Sequence, residues 1–111
     1  MTDRLPTHIE VSGLILAVQN AGGFATVLAK GERDAGTLLI VTLGRGGPDR
    51  LYERMPQLDG SRPFTVTREQ DIDNPLKFNE YLTKRRQQDP DIWIVELDIA
   101  DAERFAALQH K

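Results

Sequence analysis

The sequence predicts an α+β fold: a mainly antiparallel sheet of about five strands with two main helices grouped on one face, forming a two-layer sandwich. Three observations point there. Residues 37–43 and 91–99 are apolar runs rich in β-branched side chains, the mark of strands covered on both faces. Shorter segments at 24–30, 50–55 and 64–67 lie between turns rich in Gly and Pro. Two further stretches, opening at Thr7 and at Pro75, carry apolar residues at helical spacing. The element order is α-β-β-β-β-α-β-α.

The first helix starts at Thr7, where Thr7-His8-Ile9-Glu10 has the spacing of a capping box: a hydroxyl for an orphan amide and a carboxylate three residues on. Val11, Leu14, Ile15 and Val18 follow at helical intervals, and Gly22-Gly23 supplies a left-handed stop. Ile9, Val11, Ile15 and Ala17 also fit alternation, so a strand is the rival reading; the helix is preferred. Strands at 24–30 and 37–43, joined by a Gly-bounded loop at 31–36, read as an antiparallel hairpin. Gly44-Arg45-Gly46-Gly47-Pro48-Asp49 is a turn into the third strand, 50–55. A loop at 56–63 leads to a short fourth strand, 64–67, and residues 69–73 read as irregular.

The second helix takes Asn74 as its N-cap and Pro75 as its first residue, a position where no amide bond is lost. Phe78, Tyr81, Leu82 and Arg85 share one face, and Pro90 prevents continuation. In the strand at 91–99, Ile92, Ile94 and Leu97 are read on one face and Trp93 and Val95 on the other. Arriving after a helix, this strand is free to insert beside an earlier one. Asp101 is read as the cap of a last short helix, 102–108, which packs Phe105 and Leu108.

Composition removes several function classes. A chain of 111 residues suits one core and one domain. The absence of cysteine removes disulfides, thiolate metal sites and cysteine nucleophiles. No apolar run approaches the roughly 20 residues of a membrane span, and Met1-Thr2-Asp3-Arg4 opens no export signal, so a cytosolic location is expected. A formal charge of −3 does not recruit nucleic acid globally. Locally the charge is segregated. Residues 76–88 carry Lys77, Lys84, Arg85 and Arg86 against Glu80, and the next stretch carries Asp89, Asp91, Glu96, Asp98, Asp101 and Glu103 against Arg104.

Three segments have a familiar look: Asn20-Ala21-Gly22-Gly23-Phe24-Ala25, Lys30-Gly31-Glu32-Arg33-Asp34-Ala35-Gly36, and Tyr81-Leu82 leading to Asp89-Pro90-Asp91-Ile92-Trp93-Ile94-Val95-Glu96. Together they resemble a family of small alphaproteobacterial proteins classed only as a domain of unknown function. The similarity runs from about Val11 to about Asp98; the loop between Pro56 and Asn74 has no strong counterpart. The resemblance implies a bacterial cytoplasmic origin and supports the two-helix reading. It implies no activity, substrate or catalytic residue.

The residues themselves offer four candidate features. The carboxylates from Asp89 to Asp98, with Asp101, could ligate a hard cation or divide acid and base roles in a metal-dependent hydrolase; a solvated strand end plus a helix cap at Asp101 is the preferred reading. Lys84, Arg85 and Arg86, joined by Lys77 and Arg68, could bind RNA with Tyr81 or Trp93 as a stacking surface; cations near a helix C-terminus are also favoured by its dipole. Glu32, Arg33 and Asp34 place both charge signs on a constrained turn, a common setting for function. Trp93, flanked by apolar neighbours, is read as a core anchor. Gly44-Arg45-Gly46-Gly47 lacks the lysine and helix of a phosphate loop. His8 and His110 lie near opposite ends of the sequence and form no ligand pair.

The leading expectation is a non-enzymatic binding or adaptor module for a protein partner, compatible with a homodimer, using the Glu32-Arg33-Asp34 loop and a sheet face or edge. No cofactor, metal or membrane is expected. Nucleic acid and metal-assisted hydrolysis stand as alternatives.

Overall fold

The structure, a computed structural model, describes residues 5–107. Its elements are α1 (Thr7–Asn20), β1 (Phe24–Ala29), β2 (Leu38–Thr42), β3 (Arg50–Arg54), β4 (Phe64–Glu69), α2 (Leu76–Gln88), β5 (Trp93–Asp98) and α3 (Glu103–Ala107). The order and the α+β class match the sequence reading. The strands form one sheet in the order β1-β5-β2-β3-β4, antiparallel except where β5 runs parallel to β2.

The expected hairpin between β1 and β2 does not form. The two strands stand on either side of β5, which pairs Val27 with Val95 on one flank and Ile40 with Val95 on the other. Burial explains this exchange. Ile94 and Val95 are buried on opposite faces of β5, so an edge position would wet one of its flanks, whereas β1 is largely exposed and tolerates the edge. Every residue of β2 is buried, as its continuous apolarity requires.

The expected two layers are three. Val11, Leu14 and Val18 of α1 pack with Phe105 and Ala106 of α3 against Leu38, Ile40, Trp93, Val95 and Leu97. Phe78 and Leu82 of α2 pack on the opposite face, against Leu39, Val41, Leu51, Ile92 and Ile94. Two central strands apolar on both sides need a helical cover on each. Leu97 therefore lies with Trp93 and Val95, as strict alternation from residue 93 demands, and not with Ile92 and Ile94.

Neither main helix uses a side-chain cap. Thr7 is the first residue of α1, and its Oγ1 donates to Gly36 O at 2.7 Å. The orphan amides of Thr7 and His8 donate to Asp34 O and Arg33 O, at 3.1 and 2.9 Å. Glu10, expected to reach back to the cap, instead pairs with Arg54 of β3. Loop carbonyls thus do the work expected of the capping box. The helix ends as expected: Gly23 N donates to Val18 O and Gly22 N to Gln19 O, both at 3.0 Å, around a Gly22 φ of 90°.

Pro75 occupies the capping position of α2, so the side chain of Asn74 does not cap it; Asn74 offers its carbonyl to Lys77 N at 3.2 Å. Asp101 likewise gives its carbonyl to Arg104 N, at 3.1 Å, and adopts φ 54°. Phe105 is buried as expected, and Leu108 lies outside the described residues.

Candidate functional site

Two of the sequence segments singled out above meet at one corner of the sheet. The loop 30–36 wraps around the chain entering β5. Glu32 N donates to Asp91 O at 3.0 Å, Trp93 N to Thr37 O at 2.8 Å, and the Trp93 indole Nε1 to Glu32 O at 2.7 Å. Trp93 is buried and fills the α1-side core, as read from its neighbours. The approach of the two segments is close enough to exclude side chains. A Cβ on Gly31 would lie 2.1 Å from Asp91 O, and one on Gly36 2.3 Å from the same atom.

The three charged residues of this loop have different roles. The Glu32 carboxylate turns inward on the loop, accepting the amides of Asp34 at 3.0 Å and Ala35 at 2.7 Å. The amide of Asp34, then that of Ala35, holds its carboxyl below the ordinary glutamate range. Arg33 and Asp34 project into solvent, 72% and 69% exposed and 3.8 Å apart. Such an exposed pair adds little stability. Glu32 therefore shapes the loop, and Arg33 and Asp34 are what it presents.

The basic run of α2 does not act as one cluster. Arg85 donates to Glu53 Oε1 at 2.8 Å and to the Tyr81 hydroxyl at 3.0 Å, tying α2 to β3. Lys84 and Arg86 are exposed but stand about 200° apart around the helix axis. Both aromatic faces offered for stacking are occupied: Arg68 sits 3.7 Å above the Tyr81 ring, and Trp93 is in the core.

Arg86 instead lines a groove of about 390 Å³ between α2 and the end of β1. Lys30, Thr83 and Gln87 share its walls, Ala29 and Ile92 are its buried apolar part, and Asp89 and Pro90 close it. Neither Lys30 nor Arg86 has an ion pair among the described residues. Asp89 Oδ1 accepts Asp91 N at 3.0 Å. Sequence reasoning missed Lys30 as a partner for Arg86, since nothing local joins the end of β1 to the end of α2.

The carboxylates do not converge. Asp89 and Asp91 precede β5, Asp98 ends it and pairs with Arg45 at 3.0 Å, and Asp101 lies beyond it. No group of three acidic or histidine side chains positioned to share a cation occurs among the described residues. Glu96 points to the α2 side of the sheet beside Val41. Burial, then the charges of Asp49 and Asp98, pushes its carboxyl above the usual range. A raised folded-state pKa favours the protonated fold, so this stability is present below the ordinary glutamate value and lost as pH rises through the raised one. Glu96→Gln is expected to raise the melting temperature at pH 7 and to converge on wild type near pH 4 in differential scanning calorimetry; an unchanged difference across that range would contradict it.

No helix among the described residues is long and apolar enough to cross a membrane. No curated protein matches the chain. A crystal structure of a DUF1491 family protein from Caulobacter crescentus CB15 is 33% identical, with a TM-score of 0.78 over 92% of this chain and 94% of that one. An NMR structure of a DUF1491 family protein from the same organism is 32% identical, with a TM-score of 0.74 over 94% of each chain. The solution structure of protein Atu0922 from A. tumefaciens is 30% identical, with a TM-score of 0.70 over 89% of each. The model of the family described as "protein of unknown function (DUF1491)" matches residues 5–107, and the chain belongs to that family.

Proposed function

We propose that the chain is a small non-enzymatic binding module that meets a protein partner in the cytoplasm through the braced loop at residues 30–36. The observation that carries this reading is the rigidity beneath two exposed charges. Arg33 and Asp34 stand on a backbone anchored to α1 through Thr7 and His8 and to the β5 segment through Asp91 and Trp93. A loop already ordered in the free protein loses little conformational entropy on binding, so its contacts are not spent on ordering it. The scatter of the carboxylates along β5 supports a binding role over a hydrolytic one.

The test is affinity capture with the tagged full chain from its native cell, followed by mass spectrometry. The Arg33→Ala/Asp34→Ala variant is expected to lose the principal partner while keeping the wild-type melting temperature, because both side chains are solvated. Recovery of the same partners at the same intensity would overturn the assignment of the loop.

A further inference from the structure

We infer that the groove between Lys30 and Arg86 receives a carboxylate-bearing extended segment of a partner protein, a reading that rests on the binding role proposed above and gives it a second, chemically defined contact. Two cations from separate elements line one concavity, and neither forms an ion pair among the described residues. Arg86 brings a planar fork matched to a carboxylate, and Lys30 a mobile point charge. Asp89 also lines the groove, with its Oδ1 accepting the Asp91 amide, so the charged side chains of the lining leave one net positive charge.

The surroundings select among anions. Ala29 and Ile92, both nearly buried, floor the groove, and the exposed Pro90 adds apolar surface at its wall, which suits the aliphatic neighbours of an acidic residue. The uncharged edge strand β1 ends there, and Leu28, next to Ala29, is exposed beside it. A nucleic acid would need more phosphate-facing cations and a free aromatic face. Here Arg85 is committed to Glu53, Arg68 covers Tyr81, and the chain as a whole is at −3. Charge complementarity, with the apolar floor and Leu28 at the rim, commits the groove to an acidic peptide segment with apolar flanks.

The experiment titrates the ¹⁵N-labelled full chain with a short capped peptide alternating leucine and glutamate, and with its glutamine counterpart. The glutamate peptide is expected to shift the amides of Lys30, Thr83, Arg86 and Gln87, and the glutamine peptide to leave them in place. Lys30→Gln/Arg86→Gln should weaken binding about tenfold or more, whereas Lys84→Gln, off the groove, should bind as wild type. Absence of shifts at the groove at millimolar peptide, equal response to both peptides, or stronger shifts of the same amides by single-stranded RNA would each overturn the inference. Partner capture separates this outcome from the loop reading. Loss of the partner in Arg33→Ala/Asp34→Ala with full retention in Lys30→Gln/Arg86→Gln would remove the groove and leave the loop standing.

Discussion

Arg54→Met is expected to destabilise the chain by about 3–5 kcal/mol in urea unfolding. Arg54 of β3 and Glu10 of α1 form an ion pair whose side chains are 10% and 8% exposed, on the α1 side of the sheet. Arg54 also lies over the Phe64 ring, 4.6 Å from its centroid. Removing the guanidinium leaves the Glu10 carboxylate desolvated with its countercharge gone, and that uncompensated charge is the source of the loss. Glu10→Leu, which removes the carboxylate paired with Arg54, should also destabilise the chain. The combined Glu10→Leu/Arg54→Met variant should recover most of the loss, because exchanging a buried pair for apolar side chains is often close to neutral. Single-variant losses below about 1 kcal/mol would mean that water compensates the pair, in the range of a surface ion pair.

Gly31→Ala is expected to cost at least about 1–3 kcal/mol, the range for inserting atoms into a packed site. Its Cβ would meet the Asp91 carbonyl oxygen at 2.1 Å, with the Asp91 and Ile92 carbonyl carbons at 2.5 and 2.6 Å, all of them backbone. No rotamer relieves such a contact; the loop must lift away from the β5 segment. That movement would break the bond from Trp93 Nε1 to Glu32 O, so near-ultraviolet circular dichroism should change together with stability. Gly13→Ala supplies the internal contrast. Gly13 lies within α1, a Cβ there meets nothing within 4 Å, and the substitution should stabilise by about 0.5–1 kcal/mol. Equal effects at the two positions would show that the loop is not held against Asp91.

Legibility in the sequence followed the range of the interaction. The burial of β2 on every residue and the seating of Phe78 and Leu82 against the sheet were readable because the periodicity of a side chain's own element carries that information. The stop at Gly22 was readable for the same reason. The capping box at Thr7 misled because its residues have a stronger tertiary option: Thr7 bonds to the 30–36 loop and Glu10 to Arg54. Lys84, Arg85 and Arg86 read as one cluster, yet helix geometry and the Glu53 carboxylate send them to different surroundings.

By itself the sequence determined which segments are helix and strand and which side chains leave water, since local pattern and apolar spacing encode both. The family showed through its resemblance at particular segments, among them Lys30-Gly31 to Gly36 and Asp89 to Glu96. Only the tertiary structure decided that β5 separates β1 from β2, that helices cover both faces, and that the Lys30 loop is fastened to Asp91 and Trp93 beside Arg86. Those outcomes depend on pairings between residues far apart in the chain. There the need to cover two doubly apolar strands and to satisfy buried amides outweighs the preferences of neighbours in sequence.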